Sequence, residues 1–372
     1  MSWYSNSGDI VVSTRIRIAR NINNLPFPHK MSSEQIKEFC AKIKDIIKDK
    51  EFSFGYLKFI SADDAVSEIS AMVERHILSP NFANNFSGKA ILISEDETIS
   101  VMICEEDHLR IQVILGDNKL YEALKIAKEV DKFFNESLDI AFTNELGFLT
   151  SCPTNIGTGL RASLMLHIPA IQNLKVIEPL SDSISKIGFT LRGLYGEGSK
   201  AEAGFYQVSN QVTLGITEEE AINNLQGIAS QIVNREKEAR KELSITELDD
   251  LTFRSLATLK AARILSSGEA ANLISLVKLG VSENRIKDLD NSVLLKLFIE
   301  TKPNTLQTKE GILTPNDRDV LRANIIREAL KECDLYWNII LTDLPKTVIT
   351  QLTLQLKRQK VLVIPMLEAN TF

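Results

Sequence analysis

Strand signals run through the first two-thirds of this chain and stop near Ile245, and that break constrains the fold more than any other feature. Asp9–Arg20 reads as a strand, with Arg15 and Arg17 on one face and Ile16 and Ile18 on the other. Ser32–Lys50 reads as an amphipathic helix capped by Ser32 or Ser33. Asp63–His76 reads as a second helix, ended by Ser79-Pro80. Lys89–Ser94, Thr98–Cys104 and Leu109–Leu115 read as strands, the last two joined by a short acidic turn. Asn118–Asn135 is helical in pattern. Pro179–Ile187 predicts a helix before a strand at Gly188–Arg192, and Phe205–Leu214 predicts another strand. Thr217–Glu220 has the spacing of a capping box and opens a helix reaching Leu243. Beyond a seam at Ser244–Asp250, Leu251–Leu330 reads as several short helices. A chain of 372 residues is long enough for about two domains. The expectation is a mixed domain over 1–247, a helical domain over 248–330 and a tail, 331–372, of unassigned structure. Within that tail Thr347–Lys357 suits a helix and Val361–Ile364 a strand.

The net charge of −6 implies no general affinity for nucleic acid, so any positive site must be a local cluster. Cys40, Cys104, Cys152 and Cys333 are scattered with no CxxC pair, and the histidines are widely spread. That opposes a disulfide framework and a zinc site, and fits a reducing cytosol. Met1–Gly8 is polar and lacks an apolar signal core, and no apolar run approaches the roughly 20 residues of a membrane helix. The expectation is a cytoplasmic protein with neither membrane nor nucleic acid as partner.

Four separated segments share one chemical theme. In Ser13-Thr14-Arg15-Ile16-Arg17, two arginines leave one strand face beside hydroxyls; this is a phosphate clamp or a solvated strand face. Glu105-Glu106-Asp107-His108-Leu109-Arg110 is a solvated acidic turn, or carboxylates that hold a cation while Arg110 faces an anion. The loop from Cys152 through Pro153, Thr154, Gly157 and Gly159 to Arg161 combines a thiol, a rigid turn, hydroxyls, glycines and an arginine. Its cysteine is either a small buried hydrophobe or a reactive thiol. Arg192-Gly193-Leu194-Tyr195-Gly196-Glu197-Gly198 has the glycines of a mobile loop after a strand, where lids form. No P-loop is present, yet several arginines can neutralise a nucleotide triphosphate without one. In phosphoryl transfer the protein mainly positions groups and stabilises charge. A guanidinium is a poor nucleophile while protonated. Paired carboxylates can align its planar nitrogens and take its proton.

These segments, in this order, resemble the guanidino kinases (phosphagen kinases), and Cys152–Gly157 matches that family's signature pattern. The resemblance implies an α+β catalytic domain, an antiparallel sheet flanked by helices, followed here by the all-helical part. It implies ATP with Mg²⁺, and no protein metal centre. Arg15, Arg17, Arg110, Arg161 and Arg192 match the nucleotide-phosphate arginines, and His76 a histidine at the same nucleotide. By the same resemblance the ATP-binding segments are Ser13–Arg17, Arg161-Ala162-Ser163-Leu164-Met165 and Arg192–Glu197, including Gly193, Leu194, Tyr195 and Gly196. Glu106 and Glu197 match the substrate-guanidinium carboxylates, and Cys152 the active-site thiol. Cys104 stands where the family's acidic motif commonly begins with asparagine.

Metabolic members carry a helical lobe ahead of the first arginine motif, which the 12 residues before Ser13 cannot form. Arg318-Asp319-Val320-Leu321-Arg322-Ala323 is similar to the RDxxRA motif with which bacterial protein-arginine kinases bind phosphoarginine allosterically. That implies an effector site at Arg318, Asp319, Arg322 and Ala323; read alone, the hexapeptide is also an exposed helix with charge pairs. The similarity runs from about Gly8 to Leu330. It implies protein substrates with accessible arginine, a McsA-type activator, a ClpC-type unfoldase and a homodimer. The leading expectation is an ATP-dependent kinase of protein arginine, marking proteins for a Clp protease or acting on stress-response regulators. A metabolic kinase of free arginine and a non-catalytic phosphoarginine-binding adaptor are the alternatives.

Overall fold

Alternation along β1 (Val11–Arg20) sets the two faces around which the molecule is built. Ile16 and Ile18 have no exposure, while Arg15 and Arg17, pointing the other way, are half-buried. The computed structural model describes residues 2–193, 202–331 and 333. After β1 come α1 (Ser33–Ile47), β2 (Glu51–Phe52), β3 (Gly55–Ser61), α2 (Val66–Glu74) and α3 (Pro80–Asn84). Next are β4 (Ala90–Ser94), β5 (Ile99–Ile103), β6 (Leu109–Gly116) and α4 (Leu120–Ser137). A small hairpin, β7 (Phe142–Thr143) and β8 (Gly147–Phe148), precedes β9 (Leu160–His167), α5 (Pro169–Asn173) and α6 (Ile177–Ser185). Then follow β10 (Phe189–Arg192), β11 (Phe205–Asn210) and α7 (Glu218–Glu242). The helical part is α8 (Ile245–Ala261), α9 (Ser267–Ser282), α10 (Asn291–Glu300), α11 (Pro303–Glu310) and α12 (Pro315–Ala329).

Nine strands form one sheet in the order β10-β11-β9-β1-β6-β5-β4-β3-β2, and every neighbouring pair is antiparallel. One face is apolar. Ile16, Ile18, Ile111, Val113, Ala162, Leu164 and Val208 meet Phe39 and Ile43 of α1, Ala127 and Phe134 of α4, and Leu225 and Ile232 of α7. Each such large side chain, fully buried, contributes about 1.5–3 kcal/mol. At the β3–β5 end of the other face, Ile91, Ile93 and Met102 pack beneath Ile69 and Met72 of α2 and Phe82 of α3. At its β9–β11 end, Phe205 stacks between His167 and Phe298 of α10, and the His167 ring lies 2.8 Å from the Ser275 hydroxyl of α9. Between these covered ends lies the polar middle of the sheet.

Capping chemistry matches the sequence well. Ser32 with Gln35, Thr217 with Glu220 and Ser244 with Glu247 each close a capping box at the start of α1, α7 and α8. Elsewhere the structure corrects the reading. Asp63–His76 is a 3₁₀ turn followed by α2, which stops at Glu74 because His76 takes a left-handed backbone, φ +63°. Ser79-Pro80 starts α3 rather than ending a helix, with the Ser79 hydroxyl accepting the Phe82 amide. The strand expected over Phe205–Leu214 ends at Asn210. The longer strands β3 and β9 and the two-residue strands β2, β7 and β8 escaped the sequence reading. Leu160 and Arg161, read as the end of the thiol loop, belong to β9. Among the described residues no helix is long and apolar enough to cross a membrane.

Candidate active site

The arginines converge because antiparallel register puts them on one face. Arg17 stands opposite Arg161 of β9 on one side and Gln112 of β6 on the other. Arg15 pairs with Ser163, Ala19 with Arg110, and Arg192 of β10 with Gln207 of β11. Because alternate residues share a face, Arg15, Arg17, Arg110, Arg161 and Arg192 all leave the sheet on its polar side. Thr14, Ile16, Ala162 and Leu164 lie on the core face. Thr14 serves the fold: its hydroxyl donates to Asp117 O and accepts the Lys119 amide, both at 2.8 Å, ahead of α4.

Clustering like charges costs free energy, and the groups show it. Burial and then the charges of Arg110 and Arg161 lower the Arg15 guanidinium to about 10. Burial and the surrounding arginines hold Arg17 well below its ordinary value too. Arg15 donates to the Gln207 amide oxygen, and Arg161 reaches Asn210 O at 3.5 Å. Such a patch suits a polyanion, because bound negative charge would relieve the mutual repulsion. His76 lies below it in the left-handed turn after α2. Burial first, then Arg15 and Lys302, hold its imidazole at about 3, so it is neutral. Gln112 pins that turn, donating to His76 O at 2.9 Å.

The acidic turn divides its labour. Burial alone would raise Glu105. Arg110 at 2.7 Å, the Ser79 hydroxyl at 2.6 Å and the Glu106 amide at 2.9 Å outweigh it and hold the carboxyl at about 2. Glu105 is thus a permanent anion that locks Arg110. Glu106 is half-buried and its carboxyl is pushed up, by burial first and then by Asp107 and Glu105. Asp107 is buried and accepts the Ser151 amide and the Asn21 side-chain amide, both at 2.7 Å. The turn opens at Cys104 with φ +58°, a left-handed backbone that asparagine adopts more readily than cysteine. Here both Cys104 and Cys40 are buried, and the Cys40 thiol donates to Gly88 O at 3.7 Å.

The thiol loop is half-exposed. Cys152 Sγ lies 3.0 Å from the Thr154 hydroxyl, and Pro153–Asn155 form a 3₁₀ turn. Arg20 props the loop from the core side, donating to Thr158 O at 3.0 Å and stacking over Phe148 of β8. Glu197, with Leu194, Tyr195 and Gly196, lies outside the described residues, which stop at Gly193 and resume at Glu202. In the helical part, Arg318 is half-buried on α12. Arg322 is 1% exposed and spends its guanidinium inside the fold, on Thr301 O at 2.8 Å, Leu265 O at 2.7 Å and Asp319. The sequence reading missed Asn21, Gln112 and Gln207, and it took Asp107 only as one of the acidic turn's carboxylates, because nothing local distinguishes a buried amide or acid that acts through a partner distant in sequence.

An antiparallel sheet flanked by helices, with an arginine-lined stretch of one face beside an acidic turn, suits phosphoryl transfer. Residues 34–239 match the ATP:guanido phosphotransferase C-terminal catalytic domain, and the chain belongs to that family. The fold is shared with the duplicated taurocyamine kinase of Schistosoma mansoni, at TM-score 0.54 and 24% identity. That match covers 73% of this chain and 40% of the longer, duplicated one. Residues 245–338 match the protein-arginine kinase McsB C-terminal domain. A protein-arginine kinase of Clostridium novyi is 42% identical over 334 residues, spanning 88% of this chain and 97% of the relative. One from Bacillus subtilis is 40% identical over 338 residues, spanning 88% and 93%.

Proposed function

We propose that the chain is an ATP-dependent protein-arginine kinase that works on the polar face of its sheet. The observation that carries the site assignment is the placement of Arg15, Arg17, Arg110 and Arg161 on one face, beside Glu106. The triphosphate lies over these arginines, with Arg192 and neutral His76 completing its surroundings. Mg²⁺ would enter on the phosphate oxygens and neutralise charge there. The substrate guanidinium meets Glu106, the Cys152 thiol and a second carboxylate, Glu197. A guanidinium nitrogen attacks the γ-phosphorus: the N–P bond forms, the P–O bond to ADP breaks, and Glu106 takes the nitrogen's proton. A carboxyl raised above its ordinary range is a better proton acceptor than a free glutamate. Removing bulk water from between these groups strengthens each electrostatic contact.

Protein substrates with accessible arginine follow from the activity. Three further parts rest on the family resemblance: a McsA-type activator, a ClpC-type unfoldase that consumes the marked proteins, and a homodimer in the cytoplasm. The helical part from residue 248 would carry dimerisation and effector binding. Because Arg322 is committed to the fold, Arg318 supplies the accessible charge for a phosphoarginine effector there. Incubation with ATP, Mg²⁺ and an arginine-rich protein, followed by mass spectrometry under non-acidic conditions, should find phosphate on arginine. Label confined to serine, threonine or tyrosine would end this reading. Label confined to free arginine would restore the metabolic kinase.

A further inference from the structure

Asn21 follows β1 and is 1% exposed. Its amide nitrogen donates to Asp107 Oδ1 at 2.7 Å and to Leu149 O at 2.9 Å. Its amide oxygen accepts the His108 backbone N–H at 2.9 Å. The same Asp107 oxygen accepts the Ser151 N–H at 2.7 Å. One side chain therefore ties together two segments that are distant in sequence: the acidic turn, Glu105–His108, and Leu149–Cys152, which ends in the thiol. Glu106 lies between two anchored neighbours, Glu105 held by Arg110 and Asp107 held by Asn21 and Ser151. Cys152 is the residue after Ser151.

The chemistry selects the residue type. The position needs two donors and one acceptor within a small buried volume, which an amide provides and a hydroxyl or carboxylate does not. Burial pushes the Asp107 carboxyl up, so its charge depends on the donors that face it, Asn21 and the Ser151 amide, with Arg110 nearby and Glu105 opposing.

We propose that Asn21 is a positioning residue for arginine phosphorylation: through Asp107 it sets the spacing between Glu106 and Cys152 around the substrate guanidinium. This rests on the assignment of Glu106 and Cys152 to that cation. Misplacement by about 1 Å in such a site costs on the order of 10²-fold in rate.

The test compares Asn21→Asp, Asn21→Ser and Glu106→Gln with the wild-type enzyme in the full chain, measuring ADP release and arginine phosphorylation. Asn21→Asp has nearly the same size but sets a carboxylate against Asp107. Its kcat should fall by about 10²-fold. KM for ATP should change far less, because the backbone pairing of β1 with β6 and β9, not the Asn21 side chain, sets the register of the nucleotide arginines. The ratio of variant to wild-type kcat should rise as pH falls toward about 5, where two facing carboxyl groups share a proton and regain the hydrogen bond. Asn21→Ser keeps a donor for Asp107 and should lose less; if Asn21→Asp does not fold, it carries the test. In folded Asn21→Ser, kcat should drop at constant ATP KM, and the rate of Cys152 alkylation by iodoacetamide should change. A loss that is flat with pH and shared by the ATP KM would reveal a purely structural amide and overturn the proposal. So would wild-type kcat in a folded variant while Glu106→Gln is impaired. Wild-type kcat in Glu106→Gln would instead overturn the site assignment beneath it.

Discussion

Glu105 and Glu106 are adjacent and identical in type, yet their surroundings drive them apart. Glu105 is held at about 2 because Arg110, Ser79 and a backbone amide overcome its burial. Its folded pKa lies below the ordinary carboxylate value, so the unfolded chain binds the proton first. The stability it contributes is present above that ordinary value and is lost as pH falls toward 2. Replacing it as Glu105→Gln leaves Arg110 without its partner and should cost about 3–5 kcal/mol, read as a lower denaturation midpoint. The variant should also lose this carboxyl's own share of the acid decline in stability, which falls between the ordinary glutamate value and about 2. Glu106 moves the other way, raised by burial and by its acidic neighbours. As a proton acceptor it must be ionised, so kcat should fall on the acid side through an apparent pKa above that of a free glutamate. Glu106→Gln should remove that limb along with most of kcat while sparing ATP affinity. Equal loss of ATP affinity would count against its role.

At the scale of elements, the thiol loop holds its shape by backbone contacts that leave no room for side chains. Gly157 has φ +108°, and a Cβ there would meet Thr213 O at 2.2 Å and Leu214 Cα at 2.8 Å. Its amide and carbonyl pair with Phe148 on β8, while the Thr213 hydroxyl donates to Thr154 O and Ile156 O at 3.0 and 2.7 Å. Gly157→Ala should therefore displace the loop carrying Cys152. The expected result is a fall in kcat of about 10²-fold, with an altered rate of thiol alkylation and a far-UV circular dichroism spectrum like that of wild type. Retained kcat and alkylation rate would show that the loop tolerates the shift. The neighbouring strand β9 was legible in principle. Leu160, Ala162, Leu164 and Leu166 alternate with Arg161, Ser163, Met165 and His167. The glycines and proline just before it drew the reading toward a loop that ran too far.

At the scale of the whole molecule, the catalytic sheet and the C-terminal helices are joined by buried polar contacts. Glu74, at the end of α2, accepts the Asn304 and Thr305 amides at 3.0 and 2.7 Å, capping the start of α11 from another part of the chain. The left-handed His76 follows two residues later, so the segment proposed to border the nucleotide also caps α11. On the far side Lys278 of α9 donates to Gly8 O at 2.9 Å, just ahead of β1. Glu74→Ala should cost about 1–2 kcal/mol, the value of a lost cap. Amide exchange should quicken in Pro303–Glu310 while the α4 core keeps its protection. Unchanged exchange there would mean that α11 is held by its apolar contacts alone.

The division between chain and fold follows from the range of the forces involved. Periodicity, capping and turn residues act within a few positions. They sufficed for β1, α1, the β4–β6 hairpins, α4, α7 and the switch to helices after Ile245. The motifs, read as a set, were enough to recognise the family and its arginine phosphorylation, and they singled out the arginines, Glu106 and Cys152 as the residues to test. Tertiary structure alone decided how these groups meet. Antiparallel register set Arg17 opposite Arg161. Arg110 and Ser79 made Glu105 an anchored anion, while burial and acidic neighbours raised Glu106, which no hydrogen bond among the described residues commits in the way Asp107 is committed. Asn21 became the link between two distant loops, and Arg322, which in sequence looks like an effector contact, turned inward to satisfy carbonyls of the fold. Each of these depends on partners many residues away, and local pattern carries no record of which distant group will face a side chain once the sheet has closed its register.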